Sequence, residues 1–510
     1  MNGRHLLARS LLAAVVSLSS AAFAAGGPRN VTVDASRIVG QIRSLQGAHY
    51  DPGPAQGTLS GNYERMGIDL LRTHDAGIVV DSGVGDLDGI GAARIFPDLN
   101  ADPANPASYN FGPTDALLAN IVATGADIFF RVGRSINPQF IPNNSVPADF
   151  DQYAEVVRHV VLHYNKGWAN GFRYGIRYFE LWNEPDFLPF WAGTAEQYYS
   201  LYAKLARAIK RADRRALVGG PTNTTFNDYT GFRESFLDFV RERRLPFDFL
   251  SFHKYTDKSN DPLDYSRIGT VYRSLLDRRG FGRTEIVNSE YGMSLVGDPV
   301  IGGPAGSAAF LAAAQVYMQD APIDKAMSYM RTADVLSKEN LGFAAVSMLN
   351  RTSSRLRTSG GDDSGFAVLS GSCPGEKQLR VLIANYEISP LLMGPIPGGN
   401  DESIDIPGLG HLGTVTLLDR RSISYRDTNG YQLTISGIAG AWGDLTVEQY
   451  RLDNEHDLTL VSSQRVPRAR SGTSTVSIAG SWAHALAEPP ADPTGVGQGV
   501  DVIVVQGDAH

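Results

Sequence analysis

The sequence predicts an α/β protein: a (β/α)8 TIM barrel with a C-terminal all-β sandwich. Three observations carry this. Between about residues 45 and 350, eight short β-rich runs alternate with helix-like, amphipathic segments, the rhythm of parallel strands joined by helical crossovers. Beyond residue 350 the rhythm stops, and β-rich runs follow one another across Gly, Pro, Asp and Asn with no convincing helix between them, as in a sandwich. A chain of 510 residues is also too long for a single compact core.

The elements follow in chain order. Arg4, His5 and Arg9 precede the apolar run LLAAVVSLSSAAF, and Ala22-Phe23-Ala24 has the small-x-small pattern of a cleavage site. Residues 1–24 therefore read as a signal peptide, and the mature protein is expected in the periplasm or outside the cell. The run falls short of the roughly twenty residues a membrane span needs. Residues 25–44 carry RNVTVDAS, a strand that joins the sandwich. Residues 45–350 form the barrel. Its strand candidates are LQGAHY, DLLRTHD, DIFFRVG, RYFELWNE, ALVGGP, FDFLSFHKY, EIVNSEY and KAMSYMR. Helix candidates between them are TDALLANIVATG, FDQYAEVVRHVVLHYNK, AEQYYSLYAKLARAIKRAD, GFRESFLDFVRERR and SAAFLAAAQVYMQD. A doubly wound sheet is the alternative, but it wants a Gly-rich phosphate turn after its first strand, and LQGAHYDPGPAQG does not supply one. Residues 351–510 form the sandwich, with strands GFAVLSG, QLRVLIANYE, GTVTLLDRRSISYRD, YQLTISGI, DLTVEQYRLD and LTLVSSQRV. AEPPADPTGVGQG is Pro/Gly-rich and reads as either a long loop or a poorly ordered stretch.

Composition narrows the partners. A hydrophobic content of 43% with 20% charged residues is that of an ordinary globular protein. A net charge of −8 argues against nucleic acid or an anionic membrane surface as the main partner. Cys373 is the sole cysteine, so no disulfide forms within the chain, and no Cys/His cluster has metal-ligand spacing.

Barrel active sites gather at the C-terminal ends of the strands. Those ends carry Arg72, His74 and Asp75 on the second strand; Arg131, with Arg134 just beyond, on the third; and Asn183 and Glu184 on the fourth. His253 and Tyr255 end the sixth, Glu290 and Tyr291 the seventh, and Tyr329, Arg331 and Asp334 the eighth. Glu184 and Glu290 stand on strands roughly opposite across the mouth. Paired carboxylates are the equipment of glycoside hydrolysis: one donates a proton to the leaving oxygen while the other is ionised. Taken singly, His74 and His253 read equally as core histidines or as functional groups, and their places at strand ends favour function.

ELWNEPD resembles the acid/base strand of the retaining (β/α)8 glycosidases. More narrowly, the chain resembles glycoside hydrolase family 39, which includes β-xylosidases, α-L-iduronidases and some exopolysaccharide hydrolases. GIDLLRTHD, YNFGPTDALLANIVATGADIFFRVG, LVGGP, FRESFLDFVRERRLPFDFLSFHKYT and TEIVNSEYG follow in the family's order, and GFAVLSG, LRVLIANYE and LTVEQYRLDNEHDL resemble its C-terminal sandwich. The resemblance implies that Glu184 is the general acid/base and Glu290 the nucleophile. It implies that Asn183 holds the sugar 2-hydroxyl, that His74, His253 and Tyr255 orient the sugar or the nucleophile, and that no cofactor is needed.

Two departures bear on the substrate. The family's xylosidases carry a floor Trp on strand eight, where this chain has SYMRTAD, so Arg331 or its neighbours stand in place of the aromatic. Strand three ends FFRVG, where xylosidases tend to have an acid. Arg131 and Arg331 read either as ligands of an acidic sugar or as partners of Asp75 and Asp334. The expectation is a retaining glycoside hydrolase acting on an oligo- or polysaccharide, nearest to a β-xylosidase. A hydrolase of exopolysaccharide or uronic-acid glycans is the alternative. A non-catalytic carbohydrate-binding protein on the same barrel is the alternative of another class, which retention of both carboxylates argues against.

Overall fold

The computed structural model describes residues 27–73, 95–133, 146–188, 190–224, 231–256, 261–293, 303–329, 335–350, 354–388, 401–406, 410–416, 428–469, 472–482 and 497–508. The expected signal peptide, His74 and Arg331 lie outside these residues. No helix among the described residues is long and apolar enough to cross a membrane.

The first described strand is β1 (Arg29–Gln41). Eight strands then close a barrel in chain order: β2 (Gly47–His49), β3 (Leu70–Arg72), β4 (Asp127–Val132), β5 (Tyr178–Leu181), β6 (Leu217–Asn223), β7 (Phe249–Tyr255), β8 (Glu285–Gly292) and β9 (Lys325–Ser328). Every pair is parallel, and β9 closes on β2. Six of the eight predicted barrel runs contain their strands whole, while β6 and β8 run on past ALVGGP and EIVNSEY to Asn223 and Gly292. Closure is tight where β2 meets β9: a Cβ at Gly47 would lie 2.3 Å from Met327 Cγ, so only glycine fits there.

Side chains along a strand alternate between faces. Leu70, Phe129, Tyr178, Phe249, Val287 and Met327 form a separate buried cluster inside the barrel, with Phe129 and Tyr178 stacked at 5.4 Å. One step of two residues further along their strands stand Arg72, Arg131, Glu180 and Ser251, all fully buried. The barrel interior therefore passes from an apolar plug to a polar layer just beneath its mouth.

Helices cover the outside. Phe150–Lys166 starts on Asp149, whose carboxylate accepts from the backbone of Asp151 and Gln152, and it stops at left-handed Gly167. Ala195–Ala212 opens with a Thr194/Gln197 capping box and buries Tyr198, Tyr202, Leu205 and Ile209 at helical spacing. Among the described residues, three α-helices went unread in the sequence: Thr58–Arg65, Asp264–Asp277 and Lys338–Asn350. Leu341, Phe343, Ala344, Ala345, Val346 and Leu349 are all buried in the last of these. A helix covered on several sides has no polar face, and so no amphipathic period to read.

The later strands are β10 (Ser354–Ser359), β11 (Phe366–Cys373), β12 (Gln378–Asn385), β13 (Asp401–Ile406), β14 (Gly410–Thr416), β15 (Gly430–Ala439), β16 (Leu445–Leu452), β17 (Asp457–Val466), β18 (Thr473–Ser481) and β19 (Gly499–Gly507). β13 and β14 pair with each other, and the rest join β1 in one sheet ordered β17-β16-β19-β12-β11-β10-β1-β15-β18. β19 and β15 stand five places apart, about 24 Å in a flat sheet. Yet the Tyr431 hydroxyl on β15 donates to Asp501 on β19 at 2.7 Å, and Gln449 on β16 donates to both. The sheet is folded over, and the two halves enclose a sandwich core that includes Val31, Val33, Val381, Ile383, Leu433, Ile435, Val447, Ile503 and Val505. The opposite face of β11, β12 and β19 (Leu369, Leu382, Ala384, Val500 and Val502) joins the barrel's own hydrophobic core, where β12 and β19 lie against helices Gly303–Met318 and Lys338–Asn350.

Candidate active site

Strict alternation along β5 puts Tyr178 and Glu180 inside the barrel and would send Trp182 in after them. The backbone prevents this. Trp182 has φ 81° and Glu184 φ 42°, both left-handed and unusual for residues with a Cβ. The Trp182 ring instead leaves the barrel and packs 5.1 Å from Trp191 and 6.4 Å from Tyr153, with its indole N–H donating to Phe190 O. Gly133 makes room, since a Cβ there would meet the indole at 2.7 Å. With Trp182 turned out, Asn183 and Glu184 stand at the mouth.

β8 reaches the same result by another route. Phe252 pairs with Asn288, but the next residue, His253, pairs with Glu290, leaving Ser289 as an extra residue. This bulge reverses the facing of the residues beyond it: Glu290, three residues past inward Val287, also faces in.

The side chains converge. His253 Nδ1 lies 2.6 Å from Glu184 Oε1 and 3.4 Å from Glu290 Oε2. The Tyr255 hydroxyl donates to Glu290 Oε2 at 2.9 Å. Arg72 donates from Nη1 to Glu290 Oε1 at 2.8 Å, from Nη2 to Asn183 Oδ1 at 2.9 Å and from Nε to Glu180 Oε2 at 2.6 Å. Burial acts to lower the Arg72 pKa, but the Glu180 and Glu290 carboxylates outweigh it and raise it. Burial, with the Glu290 carboxylate adding to it, pushes the Tyr255 phenol well above its usual range. Glu290 is thus met by a permanent cation and a phenol that keeps its proton, donors suited to an anion. Glu184 faces an imidazole nitrogen, across which one proton can be shared. The two carboxyl groups are related through one ring.

Asn183, Glu184, His253, Tyr255 and Glu290 are therefore brought together as their positions in the sequence suggest. Among the described residues, Arg72 is the Asn183 side chain's partner, and that bond leaves the Asn183 Nδ2 group available. Tyr291 is a correction. It stands on the opposite face of β8 from Glu290, fully buried, accepting from Gln315 of helix Gly303–Met318 at 3.2 Å and edge-on to Tyr265 at 5.1 Å. Period-two alternation after the bulge sends it outward, so it does not line the mouth. Arg131 is also fully buried, in register with Glu180; its place is in the barrel's polar layer rather than on open surface. Tyr329, half-buried just past β9, lies 6.3 Å edge-on from Tyr255, 5.4 Å from Tyr50 and 5.2 Å from His49.

Sequence reading named Arg72 only as a strand end and passed over Glu180. The signal was present: both fall two residues beyond an apolar inward residue, Leu70 and Tyr178, where a charge must be paired. Arg72→Met is expected to destabilise the fold by about 3–5 kcal/mol, because two buried carboxylates lose their shared cation. Chemical unfolding measures this, and an unchanged midpoint would show that Glu180 and Glu290 tolerate its loss.

Glu184, His253 and Glu290 also form the one group among the described residues whose geometry could hold a metal ion, with one ligand atom of each within 4.8 Å of the others. The Arg72 guanidinium already supplies positive charge to Glu290, so the set reads as an acid pair rather than a cation cage.

A family model described as glycosyl hydrolases family 39 matches residues 39–342. The chain is 29% identical over 217 residues to a β-xylosidase of Geobacillus stearothermophilus, an alignment spanning 38% of this chain and 38% of that relative. It is 30% identical to a solved glucosidase from Croceicoccus marinus across 94% of this chain and 100% of that one, with a TM-score of 0.79. A monomeric β-xylosidase from Caulobacter crescentus superposes with a TM-score of 0.63 over 94% and 100% of the two chains. At 14% identity, that likeness speaks for the fold alone.

Proposed function

The chain belongs to glycosyl hydrolases family 39, and from that premise we propose that it cleaves a β-glycosidic bond with retention of anomeric configuration. The observation that carries this is the spacing of the carboxylates. One oxygen of Glu184 and one of Glu290 lie within 4.8 Å of each other. Retaining enzymes hold the two groups about 5–5.5 Å apart, whereas inverting enzymes leave room for a water.

In this reading Glu290 attacks the anomeric carbon as the bond to the leaving oxygen breaks, and Glu184 gives that oxygen its proton. The products are a covalent glycosyl–Glu290 ester, ionised Glu184 and the free alcohol. Glu184 then takes a proton from water as the water oxygen displaces Glu290 from the anomeric carbon. Both carboxylates return to their starting states, and two inversions make net retention. Arg72 and Tyr255 hold Glu290 on line. Asn183, held through its Oδ1 by Arg72, turns Nδ2 to the sugar 2-hydroxyl, a bond that strengthens as the ring flattens. His253 takes up or returns the proton it shares with Glu184.

A β-xyloside is the first substrate to offer, on the strength of the xylosidase relatives. A β-glucoside is the second reading, favoured because the glucosidase match runs the length of both chains. The acidic-glycan alternative rests on Arg131, which is fully buried in the barrel's polar layer, and on Arg331, which lies outside the described residues. Following fresh product by NMR tests the main claim: the first-formed sugar is expected as the β-anomer, and an α-anomer formed first would overturn retention.

A further inference from the structure

We propose that His49, on the first barrel strand, is a positioning residue for the nucleophile: it holds the β8 bulge that turns Glu290 into the mouth. The inference rests on the reading of Glu290 as nucleophile.

The bulge is registered by both neighbours of β8. On the β7 side the pairing steps from Phe252↔Asn288 to His253↔Glu290. On the β9 side it steps from Asn288↔Ala326 to Tyr291↔Ser328, three residues on β8 against two on β9. Without the extra residue, alternation from inward Val287 would bring Ser289 inward and turn Glu290 out, to the side where Tyr291 now packs against Gln315. The whole chemistry of the site depends on one unpaired residue.

An extra residue in a ladder leaves backbone groups without a ladder partner, and a buried carbonyl needs one. Here His49 Nε2 meets the Ser289 carbonyl at 2.9 Å. A carbonyl only accepts, so Nε2 carries the hydrogen and the tautomer is set. His49 and Ser289 are not on adjacent strands, because β9 lies between β2 and β8 in the barrel. The imidazole therefore reaches past β9 to the bulge.

The ring is itself held. His49 is fully buried, its own carbonyl accepts from the Tyr63 hydroxyl at 2.6 Å, and the Tyr329 ring stands edge-on at 5.2 Å. The Ser289 hydroxyl is buried without a hydrogen-bond partner among the described residues, so it is the backbone of this residue that the structure uses. His49 pairs in register with Arg72, which grips Glu290 from the other end at 2.8 Å. Two adjacent strands thus fix the nucleophile, one through its carboxylate and one through the backbone before it.

The test uses the full chain and a 2,4-dinitrophenyl 2-deoxy-2-fluoro-β-glycoside, xylo or gluco, which forms the glycosyl-enzyme and stalls there. Labelling of wild-type Glu290, found by peptide mass, checks the nucleophile reading by itself, and a label on another residue overturns that reading. His49→Phe keeps the ring's bulk without a donor. His49→Gln places an amide donor near Nε2, and His49→Asn is too short to reach. Labelling by His49→Phe and His49→Asn is expected to slow on the order of 10–100-fold, the effect of unpairing one buried carbonyl. KM for the matching nitrophenyl β-glycoside is expected to stay within about twofold, with His49→Gln recovering most of the rate. Should His49→Phe fail to fold, the Gln and Asn pair decides. Equal labelling rates in Gln and Asn variants, or a folded His49→Phe that labels at the wild-type rate, would overturn the proposal.

Discussion

Replacing Glu290 by alanine is expected to lower turnover by about four to six orders of magnitude, the scale seen when a covalent nucleophile is removed. The loss should be as deep on dinitrophenyl glycosides as on unactivated ones, because a good leaving group does not supply the missing attack. Added azide should restore no product of retained configuration: with the carboxylate gone, azide enters from the face Glu290 occupied and yields a single inversion. Arg72 and Tyr255, which donate to Glu290 at 2.8 and 2.9 Å, lose their acceptor, while Arg72 keeps Glu180 at 2.6 Å, so the fold should stand. Steady-state assays with both substrate types, beside an unfolding curve, check this. Full activity of Glu290→Ala on activated substrates would mean that the two carboxylate roles are exchanged.

Replacing Glu184 by alanine should look different. Cleavage of unactivated glycosides is expected to fall by about two to four orders of magnitude, the usual contribution of a positioned acid/base. Formation of the glycosyl-enzyme from a dinitrophenyl glycoside should be spared, since that leaving group departs without a proton. Its breakdown should slow, because no base remains to activate water, and a burst of dinitrophenolate should precede slow turnover. Azide needs no base and should restore turnover, giving a β-glycosyl azide. The burst and the retained azide product are measured by absorbance and NMR. Equal loss on both substrate classes, with no response to azide, would remove Glu184 from the acid/base role.

Much of this architecture was legible in the chain. The barrel strands announce themselves because each is a short apolar run, most of them ending in a polar cluster, and a parallel barrel buries both faces of its strands. Asn183, Glu184, His253, Tyr255 and Glu290 were all visible as polar groups at strand ends. Elements covered on both sides were harder to see. Helix Lys338–Asn350 has no polar stripe. β19 reads GVDVIVVQG and is buried almost throughout, because one face meets the sandwich core and the other the barrel's core. Strand-end position was also too coarse a guide for facing. It grouped Tyr291 with Glu290, and one residue's difference puts them on opposite sides of β8.

By itself, the sequence determined the fold class, the order of the eight barrel strands and the pair of carboxylates that make a glycosidase reading possible. These depend on local composition and period, which the chain carries whatever its tertiary partners. Facing was decided only in the tertiary structure. Glu184 enters the mouth because Trp182 finds a pocket beside Trp191 and Tyr153, in the space left by Gly133, and takes a left-handed backbone to reach it. Glu290 enters because β7 and β9 both pair across a bulge at Ser289 whose carbonyl is taken by His49, some 240 residues away in the chain. Arg72 becomes the centre of the site only when barrel closure brings Glu180, Asn183 and Glu290 around it. The physical reason is common to all three: a strand's period is local, but a break in that period is held by contacts between residues distant in the chain.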